Sequence, residues 1–184
     1  HGSGSSRDSP RNRYVASVLN QAGIATVLMD LLTQDEEIID NKTRHLRFDI
    51  PLLAERLIGV TDWIHGQKIL PEFKLGYFGA STGAAAALVA AAQRPSLIAA
   101  IVSRGGRPDL AGSALSDVKA PTLLLVGGND PHVILLNQEA IAQLHLSKAT
   151  LHIIPHATHL FEEPGALESV AQAATKWFAH YFQA

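Results

Sequence analysis

Five short apolar runs rich in valine, isoleucine and leucine recur along the chain, and polar or glycine residues follow each of them. They span residues 24–30, 74–80, 97–104, 121–128 and 149–155. Such runs, bounded by turn residues, predict buried β-strands. The stretches between them carry apolar residues at helical spacing and predict helices over residues 10–22, 49–65, 82–93, 133–145 and 166–182.

Strands that alternate with helices predict a mostly parallel sheet covered by helices on both faces. The helix over 166–182 fits this arrangement, since its apolar side chains share one face. We interpret that face as core packing. The chain length suits a single domain spanning residues 1–184. In a parallel sheet of this kind, ligands bind beyond the carboxyl ends of the strands, so the residues that directly follow each strand are the candidates for function.

Composition narrows the function classes further. Hydrophobic residues make up 47% of the 184 residues and the net charge is −2, which favours a globular protein and argues against a nucleic-acid partner. No apolar run is long enough to span a membrane, so no membrane partner is expected, and we expect a cytoplasmic protein. The absence of cysteine excludes disulfides and thiol nucleophiles. Composition leaves the oligomeric state open.

The pentapeptide Gly79-Ala80-Ser81-Thr82-Gly83 lies between a predicted strand and a predicted helix. In that context G-x-S-x-G is typical of a sharp turn that presents a nucleophilic serine, because side chains at the glycine positions would collide. The turn also directs the N–H of Thr82 and the helix N-terminus to the same place, where negative charge is stabilised. We therefore predict Ser81 as a nucleophile, against the alternative of an ordinary strand-to-helix turn.

A serine hydroxyl needs a base, and the base needs a carboxylate to fix its tautomer. Asp130 and His159 each follow a further predicted strand, and the order Ser81, Asp130, His159 is the one expected for this architecture. Asp109 follows the strand that ends near residue 104 and competes with Asp130 for the acid role. We predict His159 as the base and favour Asp130 as the acid.

These motifs together resemble the α/β-hydrolase superfamily, and within it the dienelactone-hydrolase-like group. The resemblance rests on HGSGSS (1–6), GASTG (79–83), GGND (127–130) and the segment that begins at His159. It implies an eight-stranded, mostly parallel sheet with the nucleophile after the fifth strand, which leaves the N-terminal strands missing from this chain. Dienelactone hydrolases carry cysteine at the nucleophile position, so Ser81 favours a general serine esterase instead.

The opening HGSGSSRDSPRNR has two interpretations. The residues could be the remnant of a tag and linker. The resemblance implies instead a His-Gly loop that supplies an oxyanion N–H from Ser3, beside the N–H of Thr82. On that hypothesis residues 1–4 lie beside Ser81. We follow this second interpretation.

The function predicted is a serine hydrolase that cleaves a carboxylic ester or lactone of small-molecule size through an acyl-enzyme, with no cofactor. Acyl transfer to another acceptor would use the same residues, and a non-catalytic binding protein of this fold is the third alternative. Arg104 and Arg107 follow a predicted strand, so we predict that they bind an anionic group of the substrate, with Arg7 facing the same space. There are two alternatives: both arginines lie at the surface, or Arg104 forms an internal ion pair with Asp109.

The remaining histidines and the polar stretch over 31–48 each have more than one interpretation. His152, His156 and His159 fall at spacings compatible with a metal site, but a proline separates the first from the others and no H-E-x-x-H pattern exists, so we predict no metal. His132 follows Asp130 too closely to be the base, and we expect it to begin a helix. The polar stretch over 31–48 is either a solvated surface loop or one wall of the substrate pocket.

Overall fold

A four-stranded parallel sheet forms the centre of the described part of the chain. The computed structural model describes residues 1–67, 73–144 and 149–183. The strands β1 (Leu75–Ala80), β2 (Ile98–Arg104), β3 (Thr122–Gly127) and β4 (Ala149–Ile154) lie side by side in chain order. Every neighbouring pair is parallel. Four of the five predicted strands are therefore confirmed.

In the described residues, six α-helices connect and cover the strands: α1 (Pro10–Gln21), α2 (Gln34–Thr43), α3 (Ile50–His65), α4 (Thr82–Gln93), α5 (Pro131–Leu144) and α6 (Ala166–Gln183). Short 3-10 segments span Leu46–Phe48 and Pro108–Asp117. Helices α1 and α6 pack on one face of the sheet and α3, α4 and α5 on the other. This confirms the predicted α/β architecture with helices on both faces. The last residue of the predicted helix 133–145 lies outside the described residues.

The core forms two layers because successive residues of a strand point to opposite faces. Ile101 and Leu124 pack with α4 and α5, whereas Val102 and Leu125 pack with α1 and α6. All four side chains are fully buried. The predicted packing face of α6 is confirmed, since its residues join the second of these layers. The sheet is thus covered on both faces, which leaves its carboxyl edge as the place where loops meet.

The prediction of a strand over 24–30 is wrong, because no strand is assigned there. A strand exists only by hydrogen bonding to a neighbour, and this segment has no ladder partner among the described residues. Instead it lines a cavity of about 230 Å³ together with residues of β1. The segment is apolar, but it is not buried as a strand of the sheet would be, since Val27 is 64% exposed.

The polar stretch over 31–48 is not a loop, since it contains α2 and a 3-10 segment. Thr33 and Glu36 form a capping box: the Thr33 hydroxyl accepts from the Glu36 N–H, and the Glu36 carboxylate accepts from the Thr33 N–H. Reciprocal capping of this kind stabilises the first helical turn. Inside the segment, the buried Asp40 accepts from Arg47 Nε at 2.6 Å. Burial acts to raise the pKa of Asp40, but hydrogen bonds from Arg47 outweigh burial and lower it.

The described helices include none that is both long enough and apolar enough to cross a bilayer.

Candidate active site

Ser81 lies at the sharp turn between β1 and α4, in a backbone conformation that non-glycine residues rarely adopt. Its φ is 50° and its ψ is −122°. The turn is possible because of the glycines beside it. A Cβ on Gly79 would lie 2.5 Å from Ala84 Cα, and a Cβ on Gly83 would collide with the backbone oxygen of His1. The strained conformation predicted for a nucleophile elbow is therefore observed at Ser81.

The end of β2 holds this turn in place through the main chain. The N–H of Ser81 donates to the backbone oxygen of Arg104 at 3.2 Å, and the N–H of Arg107 donates to the backbone oxygen of Ser81 at 3.1 Å. Both arginines thus support the elbow with their backbones, a role that the sequence motif does not show.

Asp130 and His159 are joined by a hydrogen bond of 2.7 Å between Asp130 Oδ2 and His159 Nδ1. Asp130 follows β3 and directly precedes α5, and His159 lies in the loop after β4. Because the carboxylate can only accept, His159 Nδ1 carries the proton and its Nε2 is left as an acceptor. His159 is therefore in the tautomer that a general base requires.

Asp109, the competing acid, has a different partner. Its carboxylate accepts from Arg107 Nε at 2.9 Å and from Arg107 Nη2 at 2.7 Å. The alternative of an internal Arg104–Asp109 pair is wrong, because Asp109 is paired with Arg107 instead. Of the two candidate acids, only Asp130 contacts the imidazole of His159 in the described residues.

Ser81 and His159 line one cavity of about 340 Å³, which we call the nucleophile cavity. It also includes Arg104, His132 and Leu160. No hydrogen bond joins Ser81 Oγ to His159 in the described part of the chain. Catalytic hydrogen bonds are often long in the absence of substrate. His132 lies in the first turn of α5, as expected, and contributes to the cavity wall.

Residues 1–4 lie against the elbow, so the tag-remnant interpretation does not describe them. A Cβ built on Gly2 would lie 2.8 Å from Ser81 Cβ. The hydroxyl of Ser3 is 3.2 Å from the hydroxyl of Thr82. We refer to residues 1–6 as the N-terminal loop. This placement brings the backbones of Ser3 and Thr82, the two residues predicted to bind an oxyanion, to the same cavity.

The ring of His1 anchors the N-terminal loop. The N–H of Leu31 donates to His1 Nε2 at 3.0 Å, so Nδ1 is the protonated nitrogen, and it donates to the backbone oxygen of Gly2 at 3.0 Å. The ring thereby ties the loop to the segment that precedes α2. His1 therefore holds the N-terminal loop in its position through both nitrogens of its ring.

Arg104 and Arg107 both line the nucleophile cavity, but their environments differ. Arg104 is 8% exposed. Its Nη2 donates to Asn12 Oδ1 at 3.2 Å, while its Nη1 is buried and finds no hydrogen-bond partner in the part of the chain that the structure describes. Burial, and to a smaller extent the charge of Arg11, lower the pKa of Arg104 to about 10. Arg107 is neutralised by Asp109, whose hydrogen bond raises its pKa.

Arg7 does not line the nucleophile cavity, contrary to expectation, and lies at the surface beside Asp30.

Sequence reasoning missed Arg11 and Asn12 in the first turn of α1. Arg11 lines the nucleophile cavity and forms an ion pair of 2.7 Å with Glu162. Asn12 donates to the backbone oxygen of Ser6 at 2.9 Å and accepts from Arg104. Asn12 therefore connects the N-terminal loop to the end of β2. No sequence motif marks either residue, because Arg11 pairs with Glu162 and Asn12 accepts from Arg104, both far away along the chain.

The histidines in and after β4 do not form a metal cluster in the described residues. Among residues 1–67, 73–144 and 149–183, no group of three or more histidine, aspartate and glutamate side chains is placed to hold a metal ion. His152 is an exposed residue of β4, and His156 lies in the following turn. The metal-site alternative therefore has no geometric support in this part of the molecule.

Comparison with known proteins identifies relatives over almost the whole chain. A sequence model of the dienelactone hydrolase family matches residues 15–183. A crystal structure of a dienelactone hydrolase from Anabaena variabilis is 67% identical, with a TM-score of 0.95, and covers 99% of this chain and 84% of its own. Est1E from Butyrivibrio proteoclasticus has a TM-score of 0.78 at 16% identity, covering 100% of this chain and 86% of its own; at that identity the likeness shows the fold alone.

Two curated relatives from Mycobacterium tuberculosis strains carry the name "Putative phosphoribosyl transferase". Each is 59% identical over 178 residues. The match covers 97% of this chain but only 39% of each relative. The chain thus spans about two fifths of the length of these relatives, and their name describes the whole of a much longer protein.

Proposed function

Because the chain belongs to the dienelactone hydrolase family and has its α/β-hydrolase fold, we propose that it hydrolyses carboxylic esters or lactones through Ser81, His159 and Asp130. The observation that carries the proposal is the 2.7 Å bond between Asp130 and His159 beside the strained Ser81. It supplies a base in the correct tautomer at the cavity that contains a candidate nucleophile.

The proposed reaction has two steps. His159 Nε2 accepts the Ser81 proton as Ser81 Oγ attacks the carbonyl carbon, and the leaving-group oxygen then takes that proton from His159 as its bond to carbon breaks. In the second step water gives a proton to His159 and attacks the acyl-enzyme. Ser81 recovers the proton as the acid departs. Asp130 stabilises the imidazolium that forms in each step.

The negative charge that develops on the carbonyl oxygen is stabilised by hydrogen-bond donors directed at that oxygen. The N–H groups of Ser3 and Thr82 are the proposed donors, since both residues border the nucleophile cavity. Neither N–H donates to another group in the described residues. One such donor contributes about 10²–10³ in rate.

A serine-directed covalent probe separates the enzyme from a non-catalytic binding protein of the same fold. We expect a fluorophosphonate to label Ser81, whereas a binding protein would stay unlabelled. Product analysis in the presence of an added alcohol distinguishes hydrolysis from acyl transfer. Hydrolysis yields the free acid, whereas transfer to the alcohol yields a new ester.

We further propose that the substrate carries an anionic group near the scissile bond, bound by Arg104. A buried guanidinium without a carboxylate partner is destabilised, and a substrate anion would supply the missing counter-charge. Arg107 is the weaker candidate, because its Nε and Nη2 already donate to the carboxylate of Asp109, which neutralises its charge.

We expect Arg104→Met to reduce the preference for an acid-bearing ester over its neutral analogue by about 10-fold or more, the magnitude of a lost hydrogen bond between charged groups. The preference is measured as the ratio of the two kcat/KM values. Arg107→Met serves as the matched control, with a smaller expected change. An unchanged ratio in Arg104→Met would contradict the anion-binding role.

The proposed chemistry uses only this chain's own residues, so we expect EDTA to leave ester hydrolysis unchanged. Activity should also fall in acid, because a doubly protonated imidazole cannot accept the Ser81 proton. A pH profile with and without chelator measures both effects. Loss of activity with EDTA that zinc restores would support a metal-dependent reaction instead.

A further inference from the structure

A second cavity, of about 440 Å³, adjoins the nucleophile cavity. It lies between the N-terminal loop, the first turn of α1, and α2, and we call it the α2 cavity. The two cavities share Gly2, Ser3, Ser5, Arg11 and Thr82 as lining residues. Ser81 and His159 line the nucleophile cavity but not the α2 cavity. The two proposed oxyanion donors therefore lie at the boundary between the cavities.

The geometry of the reacting carbon indicates which half of an ester enters each cavity. In the tetrahedral intermediate that carbon bears Ser81 Oγ, the oxyanion, the leaving-group oxygen and the acyl substituent. The leaving-group oxygen must lie beside His159, which gives it a proton, and the oxyanion lies at Ser3 and Thr82. A leaving group beside His159 occupies the nucleophile cavity. The acyl substituent then has the adjoining α2 cavity available to it past the shared residues.

The α2 cavity has an apolar part and a polar part. The apolar part consists of the buried side chains of Leu31, Leu32 and Leu53. The polar part consists of side chains from the N-terminal loop, α1 and α2, and includes Ser5, Ser6, Ser9, Glu37 and Asn41. Aliphatic carbons would pack on the leucines, while the polar part offers hydrogen-bond partners to a group farther along the chain.

Glu37 is the charged group of this cavity that has no partner in the described residues. Asp40 and Arg47 also line it, but they are paired with each other at 2.6 Å. Arg11 is paired with Glu162. The half-buried Glu37 carboxylate takes part in no hydrogen bond or ion pair there. A carboxylate accepts hydrogen bonds and donates none, so its complement is a donor group.

We propose that the α2 cavity is the acyl subsite, and that it takes a short aliphatic acyl chain ending in a hydrogen-bond donor, either a hydroxyl or an ammonium group, held by Glu37. This inference rests on the proposed ester hydrolysis and names the acyl half of its substrates. The anionic group assigned to Arg104 lies on the leaving-group side, so the two recognition elements are separate.

The test uses three 4-nitrophenyl esters that share one leaving group: the esters of hexanoic, 6-hydroxyhexanoic and 6-aminohexanoic acid. We expect the wild type to show a kcat/KM at least about 10-fold higher for one of the donor-bearing esters than for the hexanoate. Glu37→Gln keeps an acceptor oxygen but loses the charge. It should therefore retain a hydroxyl preference and abolish an ammonium preference, which identifies the donor.

Glu37→Leu should remove either preference and raise the kcat/KM for the hexanoate. The matched control is Asp35→Asn, an exposed residue of the same helix that lines neither cavity, and it should leave all three values unchanged. A series of acetate esters with different leaving groups should rank identically in wild type and both Glu37 variants, because Glu37 contacts the acyl half.

The subsite proposal and the proposed function fail in different ways. Ser81-dependent hydrolysis of 4-nitrophenyl acetate, with equal kcat/KM for the three acyl esters or no effect of Glu37→Leu, would overturn the subsite and leave the hydrolase intact. Hydrolysis of 4-nitrophenyl acetate that survives in Ser81→Ala, or its absence in the wild type, would overturn the proposed function and the subsite with it.

Discussion

Ser81→Ala should abolish ester hydrolysis, with a loss of about 10⁶ in kcat if Ser81 is the nucleophile of a triad. Without its Oγ, no acyl-enzyme can form, and His159 has no hydroxyl to deprotonate. Alanine keeps the Cβ, so the collisions that shape the turn stay the same. We therefore expect the melting temperature to change little. Stopped assays with 4-nitrophenyl acetate, and circular dichroism on the same samples, measure both quantities.

The control for this variant is Ser3→Ala, at a residue that lines the same cavity but is proposed to act through its backbone N–H. Its hydroxyl contacts the Thr82 hydroxyl at 3.2 Å, and its N–H survives the substitution. We expect Ser3→Ala to keep most of the activity. Equal losses in the two variants would mean that the cavity, and not a nucleophile at Ser81, had been disturbed.

Asp130→Asn should lower kcat by about 10⁴, the loss that a change of histidine tautomer produces in a serine triad. The asparagine amide can donate to His159 Nδ1, which would place the imidazole proton on Nε2. The Nε2 of His159 would then have no lone pair with which to accept the Ser81 proton. Steady-state kinetics with one activated ester measures the change in kcat.

Asp109→Asn is the matched control, because this second aspartate also follows a strand and was the alternative acid. It contacts Arg107 and not His159, so we expect a change below about 10-fold, far under the loss for the orienting acid. A larger loss in Asp109→Asn than in Asp130→Asn would reverse the assignment of the acid.

Much of the candidate site was predictable because it depends on local sterics and on strand ends. The Ser81 turn follows from the G-x-S-x-G motif, in which a Cβ on Gly79 would collide with Ala84, five residues on. The limit at Gly83 comes instead from the backbone of His1, far away along the chain. Parallel strands all end at the same edge of the sheet, so residues after β1, β3 and β4 were expected to meet. The structure brings Asp130 and His159 into contact there. Their catalytic roles stay predictions.

Other features could not be predicted, because they depend on contacts between segments distant in sequence. The run over 24–30 has the composition of a strand, but a strand requires a hydrogen-bonded neighbour. Arg104 and Arg107 look equivalent in the sequence, yet one is buried beside Asn12 and the other is paired with Asp109. Helix α2 is a different case: its capping box joins Thr33 and Glu36, which is a local signal, but the helix was missed because the polar stretch has no apolar face.

The sequence by itself determined the alternation of strands and helices, the parallel sheet and the Ser81 turn. The first two follow from a repeating pattern of burial, and the turn follows from the G-x-S-x-G motif between a strand and a helix. Only the tertiary structure decided which aspartate contacts His159. It also decided that, within the described residues, Arg104 lacks a counter-charge and Glu37 has no partner in the α2 cavity. The physical reason is that the charge state and binding capacity of a polar side chain depend on what packs against it, and folding brings those neighbours from distant parts of the chain.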